Sequence, residues 1–477
     1  MKNNDMRLFF PIALLSLVAL FVACSDRKVN NNAGMSTAAA GGAKTPFEEH
    51  CVSCHGPTAE AFLQRQWKDG NSRLDFMRAM REGVAGVSKH SFKDKLSDNQ
   101  IFEIADYLIK IQEKQKDKII LDEALTSNRF SSEGMRLRLD TVLRGLESPW
   151  GMVFLPNNDL IFTEKGGTIW RLDTKGRKTE IKGAPQVSSD GQGGLLDVEL
   201  HPRFSENKLI YFTYSKIKPG GGNEFTTAVL RARLEGDQLA DARDIFVAEP
   251  YASTRHHYGS RMEFGPDGLL YFSVGERGKE NVFPQDLKTA PGKIHRIADD
   301  GSIPKDNPFL NTPGVVPSVW SYGHRNPQGL AFQPGSSTLW EHEHGPRGGD
   351  ELNIIQKAAN YGWPVVSYGT HYDGRSFTDK TKSEGILEPI NYWVPSIAPC
   401  GMAFVTGDRY PGWKGNLMVG SLRFRYLNRC VLENNKVVKQ ELLLKNIGRV
   451  RCVAMSRDGY LYVSVEEPGY IFKLAVE

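Results

Sequence analysis

From residue 136 onward the apolar positions come in short runs, broken by Pro, Gly and Asp-Gly turns. One unit recurs six times: an apolar stretch, a turn, then a second short β run. The copies start at Trp150, Leu195, Arg261, Gly329, Gly401 and Val450. The third, Arg261-Met-Glu-Phe-Gly-Pro-Asp-Gly-Leu-Leu-Tyr-Phe, shows the pattern most plainly. Spacings run from about 45 to about 72 residues, so the intervening loops differ in length. Paired strands repeated at that period, with no helical periodicity, predict an all-β six-bladed propeller over residues 136–477. A β-sandwich would not produce six similar hairpins.

Residues 44–115 carry a different pattern, which predicts a small all-α unit. Thr45-Pro46-Phe47-Glu48 and Ser97-Asp98-Asn99-Gln100 both have the spacing of a helix-initiating capping box. After the second box, Ile101, Ile104, Ala105, Leu108 and Ile109 fall on one helical face. Between the boxes lies Cys51-Val52-Ser53-Cys54-His55, the C-x-x-C-H pattern of covalent haem c attachment. Thiols three residues apart share a helical face and reach both vinyl groups of one porphyrin, with His55 as an iron ligand. A zinc site needs a second ligand pair at metal spacing, and the next Cys is Cys400. The order of motif, loop and packing helix resembles a class I cytochrome c. That family usually places a Met at the sixth iron position, ahead of a segment like Phe92–Asp98. Here the stretch holds His90, which becomes the sixth-ligand candidate, with Met80 and Met77 as alternatives. Residues 116–135 are charged and then polar, and read as a linker.

At the N-terminus, Lys2 and Arg7 precede an apolar run from Leu8 to Val22, the layout of an export signal over residues 1–23. The run ends Phe21-Val22-Ala23-Cys24, which resembles a bacterial lipoprotein box with Phe in place of the usual Leu. That resemblance implies a lipid on Cys24 and a flexible tether over 24–43, which is rich in Asn, Ala and Gly. Ordinary cleavage and an uncleaved anchor are the other readings. The implied location is the bacterial periplasm or the cell surface, tethered to a membrane.

Composition narrows the function class. Hydrophobic residues make up 40% of 477 and charged residues 24%, as in ordinary globular proteins. A formal net charge of +4 is too small a surplus for a nucleic-acid binder, and six Cys are too few for a disulfide scaffold. Cys400, Cys430 and Cys452 sit beside β runs and read as small buried residues, with one disulfide possible. The same bland reading covers His201, His295, His342, His344 and His371.

The chemistry is concentrated in loops. Gly191-Gln192-Gly193-Gly194, Arg255-His256-His257-Tyr258-Gly259-Ser260-Arg261, Gly323-His324-Arg325-Asn326-Pro327-Gln328 and His344-Gly345-Pro346-Arg347-Gly348-Gly349-Asp350-Glu351 are dense in polar residues. Arg423, Arg449 and Arg451 add to them. Converging at a channel mouth, the arginines would hold a planar polyanion, a His would act as base, and carboxylates with carbonyls would suit Ca²⁺.

These segments, together with Asn360-Tyr361-Gly362-Trp363-Pro364, resemble the soluble quinoprotein glucose and aldose sugar dehydrogenases (the glucose/sorbosone dehydrogenase family). The resemblance runs from about residue 140 to 475. It implies pyrroloquinoline quinone (PQQ) and Ca²⁺ as cofactors and an aldose oxidised at C1 to a lactone. His257 would take the proton of the anomeric hydroxyl as hydride moves to the quinone, and Arg325 would stabilise the developing oxyanion. Gln192, Asn326, Arg423, Arg449 and Arg451 would contact PQQ. The carbonyls of Gly345 and Pro346 would bind the cofactor Ca²⁺, and Asp350, Glu351 and Tyr361 a second one. His256 stands where the family's glucose dehydrogenases often have Asp, and Arg423 where they have Lys. Trp393 lies near an expected sugar-side aromatic. Electrons would pass to the haem at Cys51, Cys54 and His55 and on to an external respiratory acceptor. Oxidation of sorbosone or a simple alcohol, or a non-catalytic glycan-binding or partner-binding propeller, are the alternatives.

Overall fold

The computed structural model describes residues 45–51, 72–83, 91–115, 127–370, 378 and 380–477. Six antiparallel sheets account for the strands, five of four strands and one of five. Each predicted copy of the repeat supplies the first two strands of one sheet, as in Pro149–Phe154 with Leu160–Glu164 and Pro399–Phe404 with Leu417–Ser421. The six-bladed propeller expected from the repeat is therefore the observed fold.

The last blade is built from both ends of the propeller sequence. Met135–Leu143 pairs with Tyr470–Val476, which pairs with Leu461–Val465 and then Val450–Met455. Leu137, Leu139 and Leu474 are buried at this closure. Joining early and late strands in one sheet removes the open edge that a linear run of blades would leave. A further strand, Arg129–Ser132, pairs outside Met135–Leu143. β structure thus begins inside the stretch read as linker, before residue 136.

The core lies between blades rather than at one centre. Apolar faces of neighbouring sheets pack together, for example Trp413, Leu427 and Val450 with Leu461 and Leu474. Large side chains such as Trp340 and Trp413 are fully buried there. Between the inner strands, Arg261 acts as a polar strut. It donates to Asp197 Oδ1 (3.0 Å), the Gln328 carbonyl (2.9 Å) and the Arg451 carbonyl (2.6 Å), and lies 4.0 Å from the Trp150 ring centroid.

The described helices of the N-terminal unit are Pro46–His50, Arg73–Glu82 and Asp98–Gln115. Both expected capping boxes are formed: Thr45 exchanges hydrogen bonds with Glu48, and Ser97 with Gln100. A third box, Ser72 with Asp75, starts the middle helix and was not expected from the sequence. Ile101, Ile104, Ala105 and Leu108 are buried together with Phe47, Cys51 and Phe76, and Met77 and Met80 pack against this cluster. Cys54, His55 and His90 lie outside the described residues, as do Cys24 and the leader. Among the described residues no helix is long and apolar enough to cross a membrane.

Candidate functional site

In five of the six blades the innermost strand slips register against its neighbour near one end. The slips fall between Pro149 and Met152, Leu195 and Val198, Pro327 and Gly329, Cys400 and Met402, and Val450 and Cys452. A bulge re-aims a side chain that a regular strand would point elsewhere. Here Trp150, Leu196, Gln328 and Arg451, each within a slipped stretch, line one cavity of about 390 Å³. The fifth slip is at Gly401, with φ +68°, where an added Cβ would sit 2.6 Å from Cys452 Cα. Only glycine lets the backbone pass there.

Loops complete the cavity wall with Gln192, Tyr258, Asn326, His344, Arg449 and Lys165. Three of its side chains are cations. Arg449 and Arg451 share Glu466, with Nε to carboxylate distances of 3.1 and 2.7 Å. Burial raises the Glu466 acid, but the two guanidiniums outweigh it and hold it at about 2. Arg451 Nη1 also donates to Gln328 Oε1 (3.2 Å). Lys165 donates to the Ser189 carbonyl (3.1 Å), and burial lowers the pKa of its ammonium. Lys165 was missed in the sequence, although it directly follows the second strand of the first repeat, where a propeller loop begins.

His257 stands beside this cavity, and its neighbours Tyr258 and Gly259 form part of the wall. Its backbone is left-handed, φ +57°, an unusual state for a non-glycine residue. The surroundings enforce it. The His257 N–H donates to Gln192 Oε1 (2.8 Å), and the Arg277 N–H donates to the His257 carbonyl (3.3 Å). Arg277, fully buried, donates to the carbonyls of His256 and Thr254 and packs 3.5 Å from the centroid of the Tyr258 ring. Gly275 allows close approach, since a Cβ there would lie 2.3 Å from the His257 carbonyl oxygen.

His257 Nδ1 is 2.6 Å from Glu276 Oε1, and the Glu276 carboxyl is nearly inaccessible. Its other oxygen accepts from the Lys279 N–H (2.8 Å). Burial pushes the His257 pKa well below its usual 6.5, and the charges of Arg325, His256 and Arg277 push the same way. Burial raises the pKa of Glu276. The imidazole is thus neutral near pH 7. With Nδ1–H directed at Glu276, Nε2 carries the lone pair of a general base. Glu276 was missed in the sequence because it lies on a different loop, after the strand Leu270–Val274. Only folding brings it to His257.

Arg325 joins the same constellation through its carbonyl, which accepts from the Glu276 N–H (2.9 Å). Its Nη1 donates to the carbonyls of His344 (3.0 Å) and Gly345 (2.8 Å), while its buried Nε has no partner. Asn326 Oδ1 accepts from the Gly259 N–H (3.1 Å) and so braces the His257 loop. The structure therefore brings together His257, Arg325, Gln192, Asn326, Arg449 and Arg451.

Other expected residues fall elsewhere. Arg423 is absent from the cavity wall, donates to the Ser396 carbonyl (3.2 Å) and lies over Phe424. Trp393 is buried in the core and donates to Gln440 (2.8 Å). Asp350 accepts from Gly345 N–H, Ser396 Oγ and Ala398 N–H, and burial raises its acid to about 6. The Tyr361 hydroxyl donates to the Ile354 carbonyl (2.6 Å) and accepts from the Gln356 N–H. Asp350 and Glu351 are adjacent on one strand, so they point to opposite faces. Cys400, Cys430 and Cys452 are buried and unbridged, as the sequence suggested. His201, His295 and His342 are buried as expected, but His344 lines the cavity.

The donor set fits a planar polycarboxylate such as PQQ. The cavity volume is within the range of small-ligand pockets, and Lys165, Arg449 and Arg451 line it together with Glu466 and Glu467, which leaves one cation in excess. The carbonyls of Gly345 and Pro346 do not fit a calcium ion as arranged. The first faces the Arg325 guanidinium, and the second accepts from Ser396 Oγ (3.2 Å). A cation there requires Arg325 to move off Gly345.

Comparison with known proteins places the fold in a family. The family model described as Glucose / Sorbosone dehydrogenase matches residues 146–473. The aldose sugar dehydrogenase YliI of Escherichia coli is 40% identical over 331 residues, covering 68% of this chain and 88% of that protein. Quinoprotein glucose dehydrogenase B of Acinetobacter calcoaceticus is 32% identical over 437 residues, covering 74% and 90%. The solved PQQ-bound aldose sugar dehydrogenase of Streptomyces coelicolor superposes with a TM-score of 0.60 at 30% identity, covering 72% of this chain and all of that one. The six-bladed fold, the site loops and these matches lead to one conclusion: this chain belongs to the glucose/sorbosone dehydrogenase family.

Proposed function

We propose that this chain is a PQQ-dependent aldose dehydrogenase that oxidises a sugar at C1 to the lactone. The observation that carries the reading is the His257–Glu276 pair beside a cavity walled by Lys165, Arg449 and Arg451. When bound, PQQ supplies a two-electron acceptor for the hydrogen at C1. Lys165, Arg449 and Arg451 would hold its carboxylates, with Arg449 and Arg451 oriented by Glu466, and Gln192 and Asn326 line the same cavity. Neutral His257 receives the hydroxyl proton at Nε2, and Glu276 stabilises the imidazolium that results. Arg325 offers its guanidinium to negative charge developing on oxygen. The buried setting of His257 and Glu276 strengthens the interaction between them. Steady-state dye reduction over a panel of aldoses, with and without added PQQ, tests the proposal. Sugar-independent or PQQ-independent rates, or none at all with PQQ bound, would leave a binding propeller.

The C-x-x-C-H motif at Cys51–His55 supports a covalently attached haem c, which takes electrons one at a time from a partner in the same chain. His90, or Met80, completes the iron coordination in this reading. Reduction of the haem α-band by sugar without added dye checks it. The leader and Cys24 support export to the periplasm or cell surface with a lipid anchor, and delivery of electrons to a respiratory carrier. Mass spectrometry of the mature N-terminus tests the lipid.

A further inference from the structure

A second cluster lies behind the active-site loop. His324, Glu341 and Glu343 place one ligand atom each within 4.8 Å of one another, and all three side chains are buried. The register explains the convergence: Glu341 and Glu343 lie on one face of the strand Leu339–Glu343, opposite Asn353 and Glu351. His324 Nδ1 is 3.4 Å from Glu343 Oε1, and its Nε2 is 2.9 Å from Ser321 Oγ. With Nε2–H donated to Ser321, the Nδ1 lone pair faces the carboxylates. The Tyr361 ring, stacked at 4.6 Å, fixes the plane of the imidazole.

Charge balance is what this cluster lacks. Among the described residues no Lys or Arg forms an ion pair with Glu341 or Glu343. Glu341 is 0% exposed, and its Oε1 has no hydrogen-bond partner. Asn353, 1% exposed, donates to Glu341 Oε2 (3.1 Å), and its own Oδ1 is also unpartnered. Buried carboxylates of this kind are paired, neutralised by a proton or bound to a metal. We propose that His324, Glu341 and Glu343 hold a divalent cation.

One imidazole nitrogen with two carboxylates selects Zn²⁺ or Mn²⁺ over Ca²⁺, which takes oxygen ligands. The set shares no residue with the calcium ligands that the family resemblance implies. The site has a clear structural role. Glu343 Oε2 accepts the backbone N–H groups of Arg325 (2.5 Å) and Asn326 (3.2 Å), so a cation on Glu343 Oε1 fixes the backbone that presents both residues. Nothing in this inference depends on the identity of the substrate.

The test uses untagged full-length protein, stripped by chelator and then offered Zn²⁺, Mn²⁺ or Ca²⁺. Metal per chain after desalting is measured by mass spectrometry, with haem iron counted apart. Wild type should retain one Zn²⁺ or Mn²⁺, and Glu341→Gln should bind it at least about tenfold more weakly. Mn²⁺-loaded wild type should show nitrogen coupling from one imidazole by pulsed EPR, which decides the matter if Glu341→Gln does not fold. Failure of wild type to retain Zn²⁺ or Mn²⁺, equal retention by a folded Glu341→Gln, or bound Mn²⁺ without nitrogen coupling would overturn the site. A proton shared by the carboxylates would then account for the cluster.

Discussion

His257 combines burial, a left-handed backbone and a carboxylate partner, and each has a measurable consequence. Burial first, and Arg325 second, lower its pKa below 6.5. The base works deprotonated, so kcat/KM should fall only at pH values below 6.5, as His257 takes up a proton. Arg325→Gln removes one of the charges that lower this pKa, and its acid limb should shift upward toward 6.5 in a pH–rate profile. Arg261 permits a stability prediction. Arg261→Met leaves the Asp197 carboxylate buried without its cation and should cost about 3–5 kcal/mol in denaturant unfolding. Among single residues, the sequence was informative where one loop carried the signal. His257 and Arg325 stand out in segments dense with Gly and polar residues. Glu276 and Lys165 do not, because each lies on a different loop from its partners. Arg423 was expected at the site from the family resemblance; here it follows Leu422 of the cavity wall and donates to the Ser396 carbonyl.

At the level of elements, register slips at the inner strand ends do much of the positioning. They turn Trp150, Leu196, Gln328 and Arg451 into one cavity wall. Glycines then allow the loops to touch. Gly275→Ala places a Cβ 2.3 Å from the His257 carbonyl oxygen. It should lower kcat/KM by about tenfold or more, because a shift of about 1 Å at a catalytic group is already costly. The protein should still melt cooperatively, at a lower temperature set by about 1–3 kcal/mol of overpacking. Inner strands were legible because they are buried on both faces and read as apolar runs, such as Leu160–Glu164. Outer strands were not. Lys436–Leu443 is largely exposed and Lys178–Ile181 is half-buried, and their polar sequences look like loops. Both predicted capping boxes formed because their signal is local. The Ser72–Asp75 box carries Asp rather than Glu or Gln at its third position, outside the usual pattern.

Across the molecule as a whole, the ring depends on the pairing of Met135–Leu143 with Tyr470–Val476. A chain beginning at residue 127 should fold as a propeller with PQQ-dependent dye reduction and no haem signal. A chain beginning at residue 144 lacks the closing strand and exposes the edge of Tyr470–Val476, so it should lose its cooperative melt and aggregate in light scattering. Blade number could be read from the repeat. Ring closure could not, because Leu137 and Val476 are paired only by the fold.

Everything proposed for catalysis turns on a neutral His257, oriented by Glu276, acting as base for PQQ-dependent sugar oxidation. Aldose-dependent turnover of PQQ-loaded wild type and His257→Ala, with PQQ affinity determined on the same samples, decides it. His257→Ala should bind PQQ as wild type does and turn over about 10²–10⁴-fold more slowly. Equal turnover by the two proteins, or no turnover by wild type with PQQ bound, would rule this role out.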